Sequence, residues 1–65
     1  NFNWQDLKGK TIAITGSTGD LANELVKILA NLNANLILLN RNKEKTQNQI
    51  NELLHINPNI KIEFI

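Results

Sequence analysis

Hydrophobic positions recur along this chain with two different periods, and each change of period marks a predicted element. Residues Thr11 to Thr15 are rich in β-branched side chains and apolar on both alternating faces, which is typical of a strand buried on both sides. From Asp20 the period becomes helical, and Asn33 occupies the place where a left-handed residue would end the helix. Thr18 or Asp20 is expected to cap its start. The apolar stripe of this helix comprises Leu21, Ala22, Leu25, Val26, Ile28, Leu29 and Leu32.

The second half of the chain predicts another strand, a helix and a third strand. Leu36 to Leu39 is an apolar run too short for a buried helix, so a strand is favoured. Lys43 to Ile56 has the pattern of a polar helix, which Pro58 ends by pushing Asn57 out of helical geometry. Ile60 to Ile65 alternates between apolar and charged residues, which suits an edge strand. The narrow apolar stripe of the second helix consists of Ile50, Leu53 and Leu54.

The order β-α-β-α-β predicts a Rossmann-type α/β fold with three parallel strands in spatial order 3-2-1. Right-handed crossovers place both helices on one face of such a sheet, so its other face and the outer edge of the first strand stay uncovered. We therefore expect residues 1–65 to be the N-terminal part of a larger doubly wound NAD(P)-binding domain, and the absence of Met agrees with an excised piece. Trp4, in the polar lead-in, is expected to pack on the domain's edge, and Gly9 to supply backbone freedom.

Composition and charge narrow the classes of function. The net charge of +1 provides no electrostatic footprint for nucleic acid or an anionic membrane. Without Cys there is no disulfide framework, thiolate metal site or Cys nucleophile. The apolar runs are far shorter than the roughly 20 residues of a membrane span, and the N-terminus has no signal-peptide pattern. A soluble cytoplasmic protein is the expectation.

The chemistry of the chain is concentrated where the first predicted strand meets the first helix. Gly16, Gly19 and Ala22 form the pattern G-x-x-G-x-x-A, a relative of the dinucleotide fingerprint G-x-G-x-x-G/A. Gly allows the backbone to approach a phosphate closely, and the following helix N-terminus points N–H groups at the anion. The pattern therefore predicts a phosphate site, although the two glycines are also compatible with a tight turn that binds nothing.

The end of the second predicted strand indicates which coenzyme would bind. NAD-binding folds place an Asp or Glu there, about 20 residues beyond the glycine turn, to bond the ribose 2′-hydroxyl. This chain has Asn40 followed by Arg41, and a guanidinium suits a 2′-phosphate through charge-assisted bonds. NADP is therefore favoured over NAD, with Lys43 as a further candidate contact. The alternative is a solvated surface Arg at the start of a helix.

Thr15 to Ala22, followed by Leu38 to Asn42, resembles the N-terminal portion of a short-chain dehydrogenase/reductase. The commonest pattern of that family would place Gly at 20 and 22, where this chain has Asp20 and Ala22, so it is closer to the variant of the extended and atypical subgroups. The turn is also similar to that of glucose-6-phosphate dehydrogenases, whose strand-two Arg lies further along. The resemblance implies coenzyme contacts from Gly16, Ser17, Thr18, Gly19, Asp20, Leu21, Asn40 and Arg41.

The same resemblance implies an NADP(H)-dependent oxidoreductase that moves hydride to or from a carbonyl or alcohol, in a homo-oligomeric parent protein. The family's catalytic Ser and Tyr-x-x-x-Lys pair lie beyond position 65, and this chain contains no Tyr, so it is not expected to be catalytic alone. The one His, His55, is expected at the surface, and no metal site is expected. Three alternatives stay open: a redox-silent NADP(H)-sensing module, an extended-type enzyme of nucleotide sugars, and a unit that binds no ligand.

Overall fold

The computed structural model describes residues 7–65, so Trp4 and most of the predicted lead-in lie outside the described residues. Five elements follow one another: β1 (Thr11–Thr15), α1 (Asp20–Asn31), β2 (Asn35–Leu39), α2 (Lys43–Ile56) and β3 (Ile62–Phe64). All five predicted elements are confirmed in type and order. The third strand is shorter than the predicted Ile60 to Ile65, because it pairs with β2 only from Ile62 to Phe64, and Ile60 lies buried in the core before the strand begins.

The three strands form one parallel sheet in the order β1-β2-β3, which confirms the predicted 3-2-1 arrangement and the α/β Rossmann-type fold. Thr15 lies opposite Leu39, and Leu38 lies opposite Phe64. The carboxyl ends of β1 and β2 therefore meet at one edge of the sheet. In open α/β sheets this edge is where ligands bind, since the strand-to-helix connections gather there.

A single hydrophobic core lies between one face of the sheet and the two helices. Leu36 and Leu38 of β2 are fully buried at its centre, and register places β1 and β3 side chains beside them on the same face. Because both helices contribute to this cluster, they cover the same face of the sheet. The helical and loop members of the core are Leu7, Val26, Leu29, Ala30, Ala34, Ile50, Leu53 and Ile60, with Ile12, Ile14, Leu32, Ile62 and Phe64 packed against them.

Burial on both faces of β1, which its composition predicted, is not realised within residues 7–65. Thr11, Ala13 and Thr15 are exposed, whereas Ile12 and Ile14 face the core. The reason is topological, because two helices on one side leave the other side of the sheet open. The apolar stripe of α1 is likewise only partly buried. Its exposed part, called here the outer stripe, consists of Leu21, Leu25 and Ile28, at 86%, 46% and 53% exposure.

The helix ends farthest from the strand-to-helix connections are closed largely by asparagine. Asn33 has φ of 67°, which confirms its predicted left-handed conformation after α1, and Gly9 also has a positive φ of 77°. The backbone of Asn57 is extended rather than helical, with φ of −146°, as predicted for the residue before Pro58. Its side-chain amide donates to the Ala30 carbonyl at 2.9 Å and to Asn33 Oδ1 at 2.8 Å. These bonds join the C-terminal ends of the two helices.

Candidate functional site

Gly16 turns the chain out of β1 at the carboxyl edge of the sheet. Its φ of 65° lies in the left-handed region, which a side chain would make unfavourable. Its N–H donates to the Leu39 carbonyl at 3.3 Å, and its own carbonyl accepts from Gly19 N–H at 3.1 Å. The turn is thus tied to the end of β2 and closed on itself. Its shape follows from a residue type that local sequence reasoning could identify.

Gly19 differs from Gly16, because nothing among residues 7–65 requires a glycine there. Its φ of −67° and ψ of 154° are extended values that any residue adopts. A Cβ at this position would meet the Gly16 carbonyl oxygen at 3.5 Å, an ordinary van der Waals contact. A tight turn alone therefore accounts for Gly16 and not for Gly19. A close approach by a molecule outside the chain would account for both.

The N-terminus of α1 begins at this turn and carries no side-chain cap. Gly19 is the N-cap residue, so the expectation that Thr18 or Asp20 caps the helix is wrong. The first helical hydrogen bond is donated by Asn23 N–H to the Gly19 carbonyl at 2.7 Å, and the N–H groups of Asp20, Leu21 and Ala22 precede it. These amides and the helix dipole favour an anion at this position.

Ser17, at the centre of the turn, is fully buried and all its polar groups are engaged by side chains. Its N–H donates to Asn40 Oδ1 at 2.8 Å, and its hydroxyl accepts from Asn40 Nδ2. The hydroxyl also donates to Gln49 Oε1 at 2.7 Å, while Gln49 Nε2 donates to the Ser17 carbonyl at 2.6 Å. Gln49 Nε2 further donates to Asn23 Oδ1 at 2.8 Å. We call these four residues the polar cluster.

Asn40 and Arg41 follow β2 at the same edge of the sheet as the turn. The half-buried Asn40 belongs to the polar cluster, so its amide is directed toward Ser17. Arg41 is exposed. Among residues 7–65, the ion pairs are those of Lys27 with Glu24 and Glu52, which leaves the Arg41 guanidinium without a carboxylate partner in that part of the chain. The fold thus brings the two predicted parts of the site to one edge.

Sequence reasoning missed Gln49 and Asn23. Gln49 is 5% exposed and its side-chain amide is fully engaged in hydrogen bonds, although it lies outside the apolar stripe predicted for this polar helix. One signal was available, because Gln49 shares helical spacing with the buried Thr46, Ile50 and Leu53. A polar residue on an apolar stripe indicates a buried hydrogen bond. Its partner, 32 residues earlier, could come only from the fold.

A polar groove of about 270 Å³ runs between α1 and α2 from the edge of the turn. Lys27, which joins the two helices beside it, is bonded to Glu52 at 3.1 Å and lies 3.6 Å from Glu24. The hydrogen bond to Glu52 and the charges of both carboxylates raise the pKa of Lys27 above its ordinary value. The groove is lined by Thr18, Asn23, Lys45, Asn48, Gln49 and Glu52.

Neither a metal-binding cluster nor a membrane-spanning helix is found in the part of the chain that the structure describes. No group of three or more acidic or His side chains among residues 7–65 is arranged to hold a metal ion. His55 is exposed in the last turn of α2. None of the helices described is both long and apolar enough to cross a membrane.

Comparison with known proteins supports the fold. No family model matches the sequence, and no curated protein matches it. Among solved structures, the chain is similar to a protein described as a short-chain dehydrogenase from Shigella flexneri 2a str. 301, with a TM-score of 0.79 and 23% sequence identity. The similarity covers 91% of this chain, which spans about a quarter (26%) of the length of that protein. At this identity the likeness establishes a shared Rossmann-type arrangement.

Proposed function

We propose that this chain is the coenzyme-binding part of an NADP(H)-dependent short-chain oxidoreductase acting on a carbonyl or alcohol. The observation that carries the proposal is the uncapped N-terminus of α1, which follows a turn containing a glycine that no contact among residues 7–65 requires. An open helix end at the carboxyl edge of a parallel sheet is the usual position of a dinucleotide pyrophosphate.

The described residues fit such a coenzyme. Open space lies where a Cβ of Gly16 would be, and a Cβ at Gly19 would meet only the Gly16 carbonyl oxygen, at 3.5 Å, among the described residues. The pyrophosphate would be held by the amides of Thr18, Asp20 and Leu21, with Gly16 and Gly19 allowing its approach. Ser17 and Asn40 would contribute by shaping the turn, since their polar groups are engaged with each other. The Asp20 carboxylate is exposed and would need to point away from the pyrophosphate.

Arg41 would select the coenzyme. An exposed guanidinium without an acidic partner among residues 7–65 is free to bind the 2′-phosphate of NADP. The bound coenzyme would supply or accept the hydride, and this segment would supply binding and orientation. Since the chain contains no Tyr, the acid–base group typical of the family would come from residues outside it.

Replacing the Arg41 guanidinium tests the choice of coenzyme. In the full-length protein, Arg41→Asp should weaken NADPH binding by about 1–3 kcal/mol, as expected for a lost charge-assisted bond. The difference between the affinities for NADPH and NADH should therefore become smaller. Fluorescence titration with both coenzymes measures the change. Lys61→Asp is a matched control, because it alters the net charge equally at an exposed position near the opposite edge of the sheet. An unchanged NADPH preference in Arg41→Asp would contradict the 2′-phosphate role.

We also propose that the chain is part of a larger doubly wound domain. Three surfaces support this: the open face of the sheet, the unpaired edge of β1, and the outer stripe of α1. Exposed contiguous apolar surface of this kind is normally covered by protein. Size-exclusion chromatography of residues 1–65 alone is expected to show self-association or incomplete folding. A monomer that unfolds cooperatively would argue against the proposal.

A further inference from the structure

We propose that Gln49 is a positioning residue, which reaches from α2 to aim the Thr18 backbone amide at the coenzyme pyrophosphate. This inference rests on the proposed function, and it concerns a residue outside both the glycine turn and the end of β2. Gln49 lies 32 residues beyond Ser17 in the chain and is nearly fully buried against it.

The hydrogen bonds of Gln49 hold both the side chain and the backbone of Ser17. Its Oε1 accepts from the Ser17 hydroxyl at 2.7 Å, and its Nε2 donates to the Ser17 carbonyl at 2.6 Å. The second proton of Nε2 is directed to Asn23 Oδ1 at 2.8 Å, on the first turn of α1. Gln49 therefore connects the glycine turn and the beginning of α1 to one point on α2.

The planarity of the peptide bond converts this contact into an orientation. The Ser17 carbonyl and the Thr18 N–H belong to the same trans peptide unit, in which they point in opposite directions. Because Gln49 holds the carbonyl toward the buried side, the Thr18 N–H is directed away from it. On the other side of Ser17, Asn40 holds the N–H at 2.8 Å, so the residue is fixed at both of its peptide units.

Gln49 is a better candidate for positioning than for direct contact with the coenzyme. Its amide oxygen and nitrogen are occupied by Ser17 and Asn23, and no buried side-chain polar atom among residues 7–65 lacks a partner. A buried network in which every group is satisfied is rigid, and losing one member leaves the others unpaired. Loss of Gln49 would therefore release the Ser17–Thr18 peptide to rotate.

Two nucleotide probes separate this role from general stabilisation. NADPH would use both the turn and Arg41, whereas adenosine 2′-monophosphate has no pyrophosphate and would use the Arg41 region alone. In the full-length protein, Gln49→Met should weaken NADPH binding roughly tenfold to a hundredfold, corresponding to the loss of a buried polar partner. Binding of adenosine 2′-monophosphate should be unchanged. Calorimetric titration measures both, well below the unfolding temperature of the variant.

Gln47→Met is the matched control, because Gln47 lies on the same helix, is exposed, and among residues 7–65 its side chain bonds only to Asn51 within α2. It should bind both probes like the wild type. If Gln49→Met does not fold, Gln49→Asn keeps the amide but shortens its reach by one methylene, and it should also weaken NADPH selectively. In the wild type, the Thr18 amide NMR signal should shift when NADPH binds, and this shift should be lost in the Gln49 variant.

The outcomes distinguish this inference from the function on which it rests. If the wild type binds NADPH and the folded Gln49 variants bind it equally well, the positioning role is wrong and the proposed function stands. If both probes weaken by the same factor, Gln49 only stabilises the fold, and the positioning role is again wrong. If the wild type binds neither NADPH nor NADH, the proposed function and this inference fail together.

Discussion

Two strand-to-helix junctions lie side by side at the carboxyl edge of the sheet. They differ in whether a side chain caps the N-terminus of the helix that follows. In the second junction, residues 40–42, Asn42 caps α2 by accepting the Lys45 N–H on Oδ1 at 2.9 Å. In the first junction, residues 16–19, the cap position is Gly19, and α1 has no side-chain cap in the part of the chain that the structure describes. The two helices thus begin at the same edge of the sheet, one with a side-chain cap at its N-terminus and the other without.

The two junctions share one topology but differ in the amides that they leave open to an anion. A helix N-terminus attracts anions through N–H groups that lack partners, and a capping side chain satisfies one of them within the protein. Among residues 7–65, no side chain caps the first amides of α1, whereas Asn42 satisfies one of those of α2, and the junction before α1 has a glycine whose backbone values any residue could adopt. The first junction is therefore the candidate site for the pyrophosphate, and the second contributes Arg41 beside it.

The largest expected effect comes from giving the first junction an acidic cap of its own. Gly19→Asp should fold with equal or slightly greater stability, since the backbone is already extended and Asp is a favourable N-cap. Its carboxylate would face the pyrophosphate and weaken NADPH binding by several kcal/mol, the usual cost of opposed like charges. Parallel thermal unfolding and NADPH titration would separate the two effects.

Gly19→Ala serves as the control for Gly19→Asp, because it adds a Cβ without a charge, and it should reduce NADPH affinity less. Tight NADPH binding by Gly19→Asp would mean that the open end of α1 is not where the pyrophosphate lies. The comparison between the two junctions would then have only a structural meaning.

A smaller effect is expected from uncapping the second junction. Asn42→Ala removes the acceptor for Lys45 N–H and should lower the free energy of unfolding by about 1 kcal/mol, as for other N-cap replacements. Urea denaturation would measure the loss, with Asn48→Ala, at an exposed position within α2, as the control. Because α2 is not proposed to bind the pyrophosphate through its N-terminus, NADPH affinity should change little. A large loss of affinity with unchanged stability would reverse the assigned roles of the junctions.

The smallest effect concerns Lys27, which joins α1 to α2 away from both junctions. Its hydrogen bond to Glu52 and the charges of Glu52 and Glu24 raise its pKa in the folded protein above the ordinary 10.5. The stabilisation is therefore fully present below the unfolded-state pKa and is lost as the pH rises through the raised folded-state value. Urea denaturation at increasing alkaline pH should show that the free energy of unfolding declines with pH, and that this decline is less steep in Lys27→Met than in the wild type. If the free energy of unfolding declined equally with pH in both proteins, the ion pairs of Lys27 would not contribute to stability in this way.

Much of the fold was predictable because its determinants are local. The helical period from Asp20, the short apolar run of β2 and the stop before Pro58 each depend on a few neighbouring residues, and all agree with the structure. The predicted left-handed conformation of Asn33, with φ of 67°, is local in the same sense. The parallel order followed from the handedness of crossovers. The length of β3 was not predictable in this way, because it depends on which residues pair with the distant strand β2.

The sequence predicted which segments would form the candidate site, but not the hydrogen bonds that hold them. Gly16, Gly19 and Arg41 could be identified from residue type and spacing, and the fold brings their two segments to one edge. The expected cap from Thr18 or Asp20 was wrong, since capping depends on side-chain direction rather than on residue type alone. The coenzyme contacts themselves stay predictions. Gln49 was missed because its partner, Ser17, lies on a different element.

The sequence alone predicted which segments are strands and helices, the left-handed conformation of Asn33, and which two segments would form the candidate site. These properties depend on backbone conformation and periodicity over a few residues. Only the tertiary structure decided that Ser17 is bound by Asn40 and Gln49, that the outer stripe of α1 is exposed, and that α1 begins uncapped beside a capped α2. Burial and hydrogen bonding between distant segments exist only once the elements have packed together.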